Sequence, residues 1–357
     1  MSERVDPERL RDFARRLFGF LDGAVTSALV YLGDELGLYR ALASGGPATS
    51  GELAARTGLD ERWVREWLYN QGAAGLLEAE AEGRFALSAE GRAVLAEESH
   101  PAFGAGMFSQ LPKTLGVAAD LRESFRTGLG LPYDAFGPEG ARGVERGFAP
   151  WVRSFLVPAV IRRVPGLAER LGAGGRAADV GCGAGVALLV LAAAFPKAEL
   201  HGYELSRHAL LRAEENRARA GAANVRFHDV AEEPLPEDGR FDLVLTLDCL
   251  HDMTQPERVA GAIRRALADD GVWLIADIKS YPSYAENVAE NPMASLMYGF
   301  SVLTCMSSAL SEPGGAGLGT LGLHAELARE LAERAGFGSF RRLAVDHPIN
   351  AFYEVRA

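Results

Sequence analysis

Cysteine is scarce and nowhere paired. Cys182, Cys249 and Cys305 are spread over 357 residues without a C-x-x-C spacing. That pattern excludes a disulfide frame or a zinc site and reads as reduced thiols in a cytosol. Long apolar runs are also missing. The longest, Val186 to Phe195, is ten residues, too short to cross a bilayer. The first residues, MSERVDPERLRDFARR, are charged throughout, so no secretory signal is expected. Positive charge is in deficit: the net charge is −11, and residues 1–100 carry 11 Arg and no Lys against 17 acidic residues. Such a balance argues against nucleic acid or an anionic membrane as the main partner. No repeat or low-complexity tract occurs, and no cluster has metal-ligand spacing, so no metal is expected.

What is present is an ordinary globular composition, 48% hydrophobic and 24% charged, in a chain long enough for two domains. Pro7 to Leu21 and Ala24 to Leu42 each carry apolar residues at helical spacing, which predicts two helices with an apolar stripe to bury. Thr49-Ser50-Gly51-Glu52 has the form of a capping box, and Asp60 can N-cap a helix from Glu61 to about Gly72. Two short helices around Thr57-Gly58-Leu59, followed by Gly75–Glu78 and Arg84–Leu87 as a small hairpin, predict a winged helix-turn-helix. That fold often reads DNA. Here Arg62 and Arg65 are offset by Asp60, Glu61 and Glu66, while Trp63 and Trp67 lie four apart on one stripe. A recognition helix has to meet phosphates with positive charge. The segment therefore reads as an interaction module that buries its tryptophans against the chain or a second subunit, with DNA binding the disfavoured alternative. Short helices are expected around 109–126 and 139–163, separated by a loop at 127–138.

The most informative stretch is Arg176 to Gly185, RAADVGCGAG. Ala177, Ala178 and Val180 end a buried strand. Gly181, Gly183 and Gly185 form a turn into the apolar run that follows: strand, glycine turn, helix. Glycines permit positive φ and let a ligand lie against the main chain, and the helix start offers free N–H groups. The third glycine comes one residue earlier than in G-x-G-x-x-G, and an acidic residue precedes the turn. Further strands are expected at 198–204, 224–230, 241–250 and 271–278, alternating with helices. One helix starts at Ser206, and another opens with a capping box at Thr254–Glu257. Such alternation implies a parallel doubly wound α/β sheet whose ligand lies outside the carboxyl ends of the strands. Asp179, Glu204, Asp229 and Asp248 fall at or near four successive strand ends. A row of carboxylates there is costly unless a ligand or cation faces it.

These positions resemble the class I S-adenosylmethionine-dependent methyltransferases. The resemblance implies that Asp179 and the turn Gly181, Gly183, Gly185 contact the methionine half of S-adenosylmethionine. By the same likeness Glu204 accepts from the ribose hydroxyls, Asp229, with His228 beside it, lies at the adenine amino group, and Asp248 lies near the methionine end. Over nearly the whole chain, LGDELGLYRAL…ELAARTGLDERWVREWL, FDLVLTLDCLHDM and AGFGSFRRL…HPINAFYEV look like actinobacterial and fungal winged-helix methyltransferases, some labelled transcriptional regulators. Those proteins are related to small-molecule O-methyltransferases. The implied organisation is a helical winged-helix dimerisation domain at 1–100, a helical linker at 101–165 contributing to a substrate pocket, and a Rossmann-like methyltransferase domain at 166–357. An insertion at 279–320 and an antiparallel last strand complete it. The implied function is methyl transfer to a small molecule, most readily at an oxygen of an aromatic or apolar metabolite, in a cytoplasmic homodimer. A cofactor-binding regulator that contacts DNA is the alternative.

The insertion carries Met293, Met297, Tyr298, Phe300 and Met306 before a glycine-rich loop at 314–319. It reads either as a core helix with a surface loop or as a lid with adaptable apolar walls. Two strands, Ser339–Val345 and Ala351–Arg356, close the chain. A hydroxyl acceptor needs a base near neutral pKa, which selects His251 in LDCLHDM. In the resembling O-methyltransferases a histidine in a similar phrase takes the acceptor proton; elsewhere in the family it only packs near the cofactor. Asp252 is adjacent and is not expected to face the ring on a helix, so an orienting carboxylate has to come from elsewhere, with Glu286 of the insertion one candidate. His201 and His100 read as structural or solvent-facing, whereas His347 and Asn350 can approach the pocket.

Overall fold

A computed structural model describes residues 5–357. It divides into two compact units, one up to Pro112 and one from Lys113 to Ala357.

The first unit opens with α1 (Pro7–Glu35), a single helix of 29 residues where two were expected. Pro7 at the first helical position and the Asp6 side chain, accepting from Glu8 N–H at 2.8 Å, start it. Gly19 and Gly23 lie in open space and do not interrupt it. The break comes at Gly37, φ +73°, before α2 (Leu38–Gly45). This continuity makes α1 long and apolar enough to match a bilayer, which no single run of the sequence is. Helix α3 (Ser50–Thr57) begins with the Thr49–Glu52 capping box and ends at left-handed Gly58; Asp60 then caps α4 (Glu61–Ala73). A two-residue ladder pairs β1 (Glu78–Ala79) with β2 (Phe85–Ala86). Tyr39, Leu42, Leu53, Leu68 and Trp67 form the core of this unit. Trp67 fills the space that Gly33 leaves and donates through Nε1 to Leu29 O at 2.9 Å. Trp63, one turn earlier, is 80% exposed, so only one of the two tryptophans is buried. Leu10, Phe13, Leu17, Phe20 and Leu21 of α1 are exposed as well.

The second unit is built on a seven-stranded sheet of order β5-β4-β3-β6-β7-β9-β8. Its strands are β3 (Arg176–Val180), β4 (Glu199–Glu204), β5 (Val225–Asp229), β6 (Phe241–Leu247), β7 (Leu267–Ile278), β8 (Ser339–Arg342) and β9 (Asn350–Arg356). β3 to β7 are parallel; β9 runs antiparallel to β7 and β8. Strands buried on both faces need apolar residues at successive positions. In β6, Leu243, Leu245 and Leu247 pack with Val152, Leu156, Val160 and Leu188 on one face, and Val244 packs with Ala260, Ile263 and Trp273 on the other. Thr246, on that second face, accepts from Trp273 Nε1 at 3.0 Å.

The segment 139–163 is helical, but it widens into a π-helical stretch at Val152–Val160, where Pro158 supplies no N–H to the ladder. The expected capping box at Thr254 does not form. Gln255 is the N-cap, without a side-chain bond, and Pro256 opens the helix to Ala266. β6 ends at Leu247, three residues before the expected end, because Asp248 takes φ +53° and turns the chain out of the sheet. Strand order reverses between β3 and β6, which puts the crevice at the carboxyl ends of β3, β4, β6 and β7.

Candidate active site

The glycine turn after β3 has left-handed backbone at all three glycines, with φ +74°, +53° and +76° at Gly181, Gly183 and Gly185. The reasons differ. A Cβ on Gly185 would strike Phe227 at 2.3 Å and one on Gly181 would meet Cys249 Sγ at 2.9 Å, so packing demands those two. Above Gly183 nothing lies within 4 Å, and this is the open side of the turn. Glu204, at the end of β4, is buried and reaches into it. Its Oε2 accepts from Gly183 N–H at 2.7 Å, and Oε1 accepts from the N–H groups of Leu205 and Ser206, each at 2.9 Å. Ser206 Oγ in turn donates to Asp134. Asp179 is buried, and its Oδ1 has no partner. Burial, reinforced by Glu204, pushes the Asp179 carboxyl up to about 8; burial also raises Glu204, against its three backbone donors. Strand register sets Asp229 beside Glu204, and Asp229 Oδ1 accepts from Ala231 N–H at 2.9 Å, shaping the turn after β5. An open glycine turn, a buried orphan carboxyl oxygen and an acid at the next strand end fit a ligand carrying both a cation and hydroxyl groups. S-adenosylmethionine is such a molecule: Asp179 and the turn would face its methionine half, and Glu204 its ribose.

On the other side of the crevice, His251 lies in the short turn Leu250–Asp252 and is buried. Its Nδ1 donates to Asp277 Oδ1 at 2.7 Å, and Asp277 also accepts from Ile278 N–H at 2.8 Å. Burial opposes charge on the imidazole, but Asp277, assisted by a hydrogen bond with Cys305, raises His251 well above its usual range. Glu286 does not orient the ring. It closes a capping box with Ser283 at the start of the helix Tyr284–Glu290, because Ser-x-x-Glu is itself a helix-start signal. Asp252 is not hydrogen-bonded to the ring either; burial lifts its carboxyl to about 7. Asp248, raised to about 8 by burial and by Asp277, accepts from Asn350 Nδ2. Burial holds the phenol of Tyr133 far above its usual range, with Glu204, Asp252, Cys305 and Cys249 its charged or thiol neighbours.

The insertion leans on this turn: Gly319 N–H donates to His251 O at 3.1 Å, and Ala316 N–H to Thr254 O at 2.9 Å. Met297 packs with Ala294 and Leu321 in a small core flanked by Met293 and Tyr298, so part of the Met-rich helix is structural. Of the sequence-selected residues, Asp179, the three glycines and Glu204 gather at the cradle, and His251, Asp248 and Asn350 gather opposite. His201 is hydrogen-bonded to His228, Nδ1 to Nε2, at 2.9 Å, and His347 packs against Trp151 and Phe155. Asp277, Tyr133 and Cys305 were missed. The acidic residue at the end of β7 gave Asp277 the same signal as Glu204; Tyr133 and Cys305 arrive from distant segments and left none. A separate cleft of about 800 Å³, lined by Leu235, Arg258, Arg265 and Arg334 among others, contains none of these groups.

Residues 171–336 match the family model described as a methyltransferase domain, and residues 24–97 match an Rv2258c-like winged HTH domain. A malonyl-[acyl-carrier protein] O-methyltransferase of Geobacter sulfurreducens is 30% identical over 156 residues, 44% of this chain and 52% of that protein. Polyketide synthase ThaQ of Burkholderia thailandensis is 33% identical over 105 residues, 29% of this chain and 5% of that protein. The chain thus spans about half or less of these curated relatives. Human N-acetylserotonin methyltransferase, solved with S-adenosylmethionine, shares the fold over 100% of both chains with a TM-score of 0.67 at 18% identity. The chain therefore carries a methyltransferase domain at 171–336, preceded by a winged helix-turn-helix domain at 24–97.

Proposed function

We propose that the protein transfers a methyl group from S-adenosylmethionine to an oxygen of an aromatic or apolar small molecule, with His251 as general base. The observation that carries the reading is the buried Asp277–His251 pair, set across the crevice from the glycine turn. When bound, the cofactor supplies an electrophilic methyl group on a sulfonium. The protein's share is positioning and proton removal. Asp277 holds Nδ1–H, so Nε2 is the basic nitrogen once the raised imidazolium has released its proton. Tyr133, His251 and the insertion enclose the acceptor side and keep water from the reacting oxygen. Asp179 and Glu204 present negative charge to a cationic cofactor, and Asp229 stands at the adenine end.

A homodimer formed through the first unit is part of this reading. The exposed row Leu10, Phe13, Leu17 and Leu21 on α1 is an apolar face of the kind that subunits cover. Ion pairs Arg62–Glu66 at 2.6 Å and Arg65–Glu61 at 2.5 Å occupy the two arginines of α4, which supports a protein-facing role for that helix over a DNA-facing one. The free cysteines are in keeping with a cytoplasmic site of action.

The test is incubation of the full chain with S-[methyl-³H]adenosylmethionine and a panel of phenols, hydroxylated polycyclic aromatics and matching amines. Label in a hydroxylated product, lost in His251→Ala, supports the reading; label only in amines, or undiminished in the variant, overturns it.

A further inference from the structure

Parallel pairing sets Leu247, the last residue of β6, opposite Ala276 of β7, and the residues that follow are Asp248, just past β6, and Asp277, within β7. Asp248 takes φ +53°, one of two non-glycine residues with positive φ among those described, and its N–H donates to Ala276 O at 2.8 Å. A non-glycine residue in that region is held by its surroundings, and such strain gathers at functional sites. Here the holder is Asn350 at the start of β9, whose Nδ2 donates to Asp248 Oδ1. Asn350 is itself buried and fixed: its N–H donates to His347 Nδ1 at 2.9 Å, and the His347 ring lies 5.4 Å from Trp151 and 5.1 Å from Phe155. Asp277 Oδ1 already serves His251 and Ile278, and its Oδ2 is buried with no partner.

We infer that Asp248, clamped by Asn350, is a positioning residue acting on the Asp277–His251 pair, and not a ligand of the methionine end of the cofactor. The inference rests on the reading of His251 as the base. Two neighbouring carboxyls, Asp277 buried and Asp248 half-buried just past β6, cannot both ionise cheaply. While Asp248 carries its proton, Asp277 is the one carboxylate that holds the imidazole upright. When Asp248 ionises, a second negative charge faces the ring and the imidazolium keeps its proton longer. The other groups that act on the ring's charge are Asp252 on its own turn and Cys305 from the insertion, and Tyr133 neighbours both of these. Asp248 is thus a brake on the base at high pH, and Asn350 sets its strength by favouring the ionised form.

The test is a ¹H–¹³C NMR titration of the His251 ring in the full chain saturated with S-adenosylhomocysteine, beside calorimetry of the same ligand. Asn tolerates positive φ, so Asp248→Asn keeps the backbone and the volume. We expect the His251 midpoint in this variant to fall by about 1 to 3 pH units, the usual effect of removing a nearby charge. The S-adenosylhomocysteine Kd should stay within about twofold. Asp248→Gly, equally free at this φ, should give the same fall. An unchanged midpoint with a Kd weakened about tenfold or more would make Asp248 a cofactor ligand and overturn the inference. An unchanged midpoint with an unchanged Kd overturns it too. Neither result depends on turnover, so failure of the base reading shows separately, as full activity in His251→Ala.

Discussion

His251 Nδ1 stands 2.7 Å from Asp277 Oδ1, with both side chains buried. With Nδ1 so held, the ring's remaining hydrogen bond is with Cys305 of the insertion, on the side we propose for the acceptor. Removal of the ring should lower kcat by about 10²- to 10⁴-fold, the range for a general base, and leave cofactor affinity nearly unchanged. The loss should shrink at high pH, where a phenolic acceptor ionises unaided.

Asp277→Asn should act differently. Asp277 raises the ring's affinity for a proton, so the acidic limb of the rate profile, which reports the neutral base, should move to lower pH in the variant while the plateau falls. A plateau loss with an unmoved limb would assign Asp277 to packing alone.

Glu204 accepts three backbone N–H groups across the cradle, and Gly183 is open above. Glu204→Ala should weaken S-adenosylmethionine by about 1.5–3 kcal/mol, the worth of hydrogen bonds to a charged group. Gly183→Ala should weaken it as well, since a Cβ would stand in the open side at φ +53°. Fluorescence titration reads both.

Asp179 makes the ligand-free protein sensitive to alkali. Its carboxyl titrates near 8 in the fold against 3.8 in an unfolded chain, so the fold binds the proton more tightly. The stability it contributes is complete below about 3.8 and is lost as pH rises toward about 8. Thermal unfolding between pH 4 and pH 8 should show this slope reduced in Asp179→Asn. Binding of a cationic cofactor should favour the ionised form and release a proton at pH 7, visible as a buffer-dependent heat.

The exposed apolar row of α1 predicts its own experiment. Phe13→Glu with Leu17→Glu should convert the protein to monomers in light scattering while the circular dichroism of the sheet domain stays unchanged. An unaltered mass would place the subunit contact elsewhere.

Much of this arrangement was legible in the chain because local signals and the fold agree. The glycine turn, the acids at strand ends and the capping residues Asp60, Ser206 and Thr49 all act within a few residues of themselves. The boundaries that differed were set by neighbours in space. Helix α1 runs through Asp22-Gly23 because nothing packs there to demand a turn, and β6 stops early because Asn350, about a hundred residues on, holds Asp248. The partner of His251 shows the same divide. Ser283 and Glu286 satisfy one another locally, and the carboxylate that reaches the ring comes from the adjacent strand.

The measurement nearest the central claim is calorimetry of the full chain with S-adenosylhomocysteine, S-adenosylmethionine and NAD, repeated on Glu204→Ala. We expect one site per chain for both sulfur ligands, weakened in the variant by about 1.5–3 kcal/mol, and weaker binding of NAD. No heat with either sulfur ligand, or tighter binding of NAD, would contradict it.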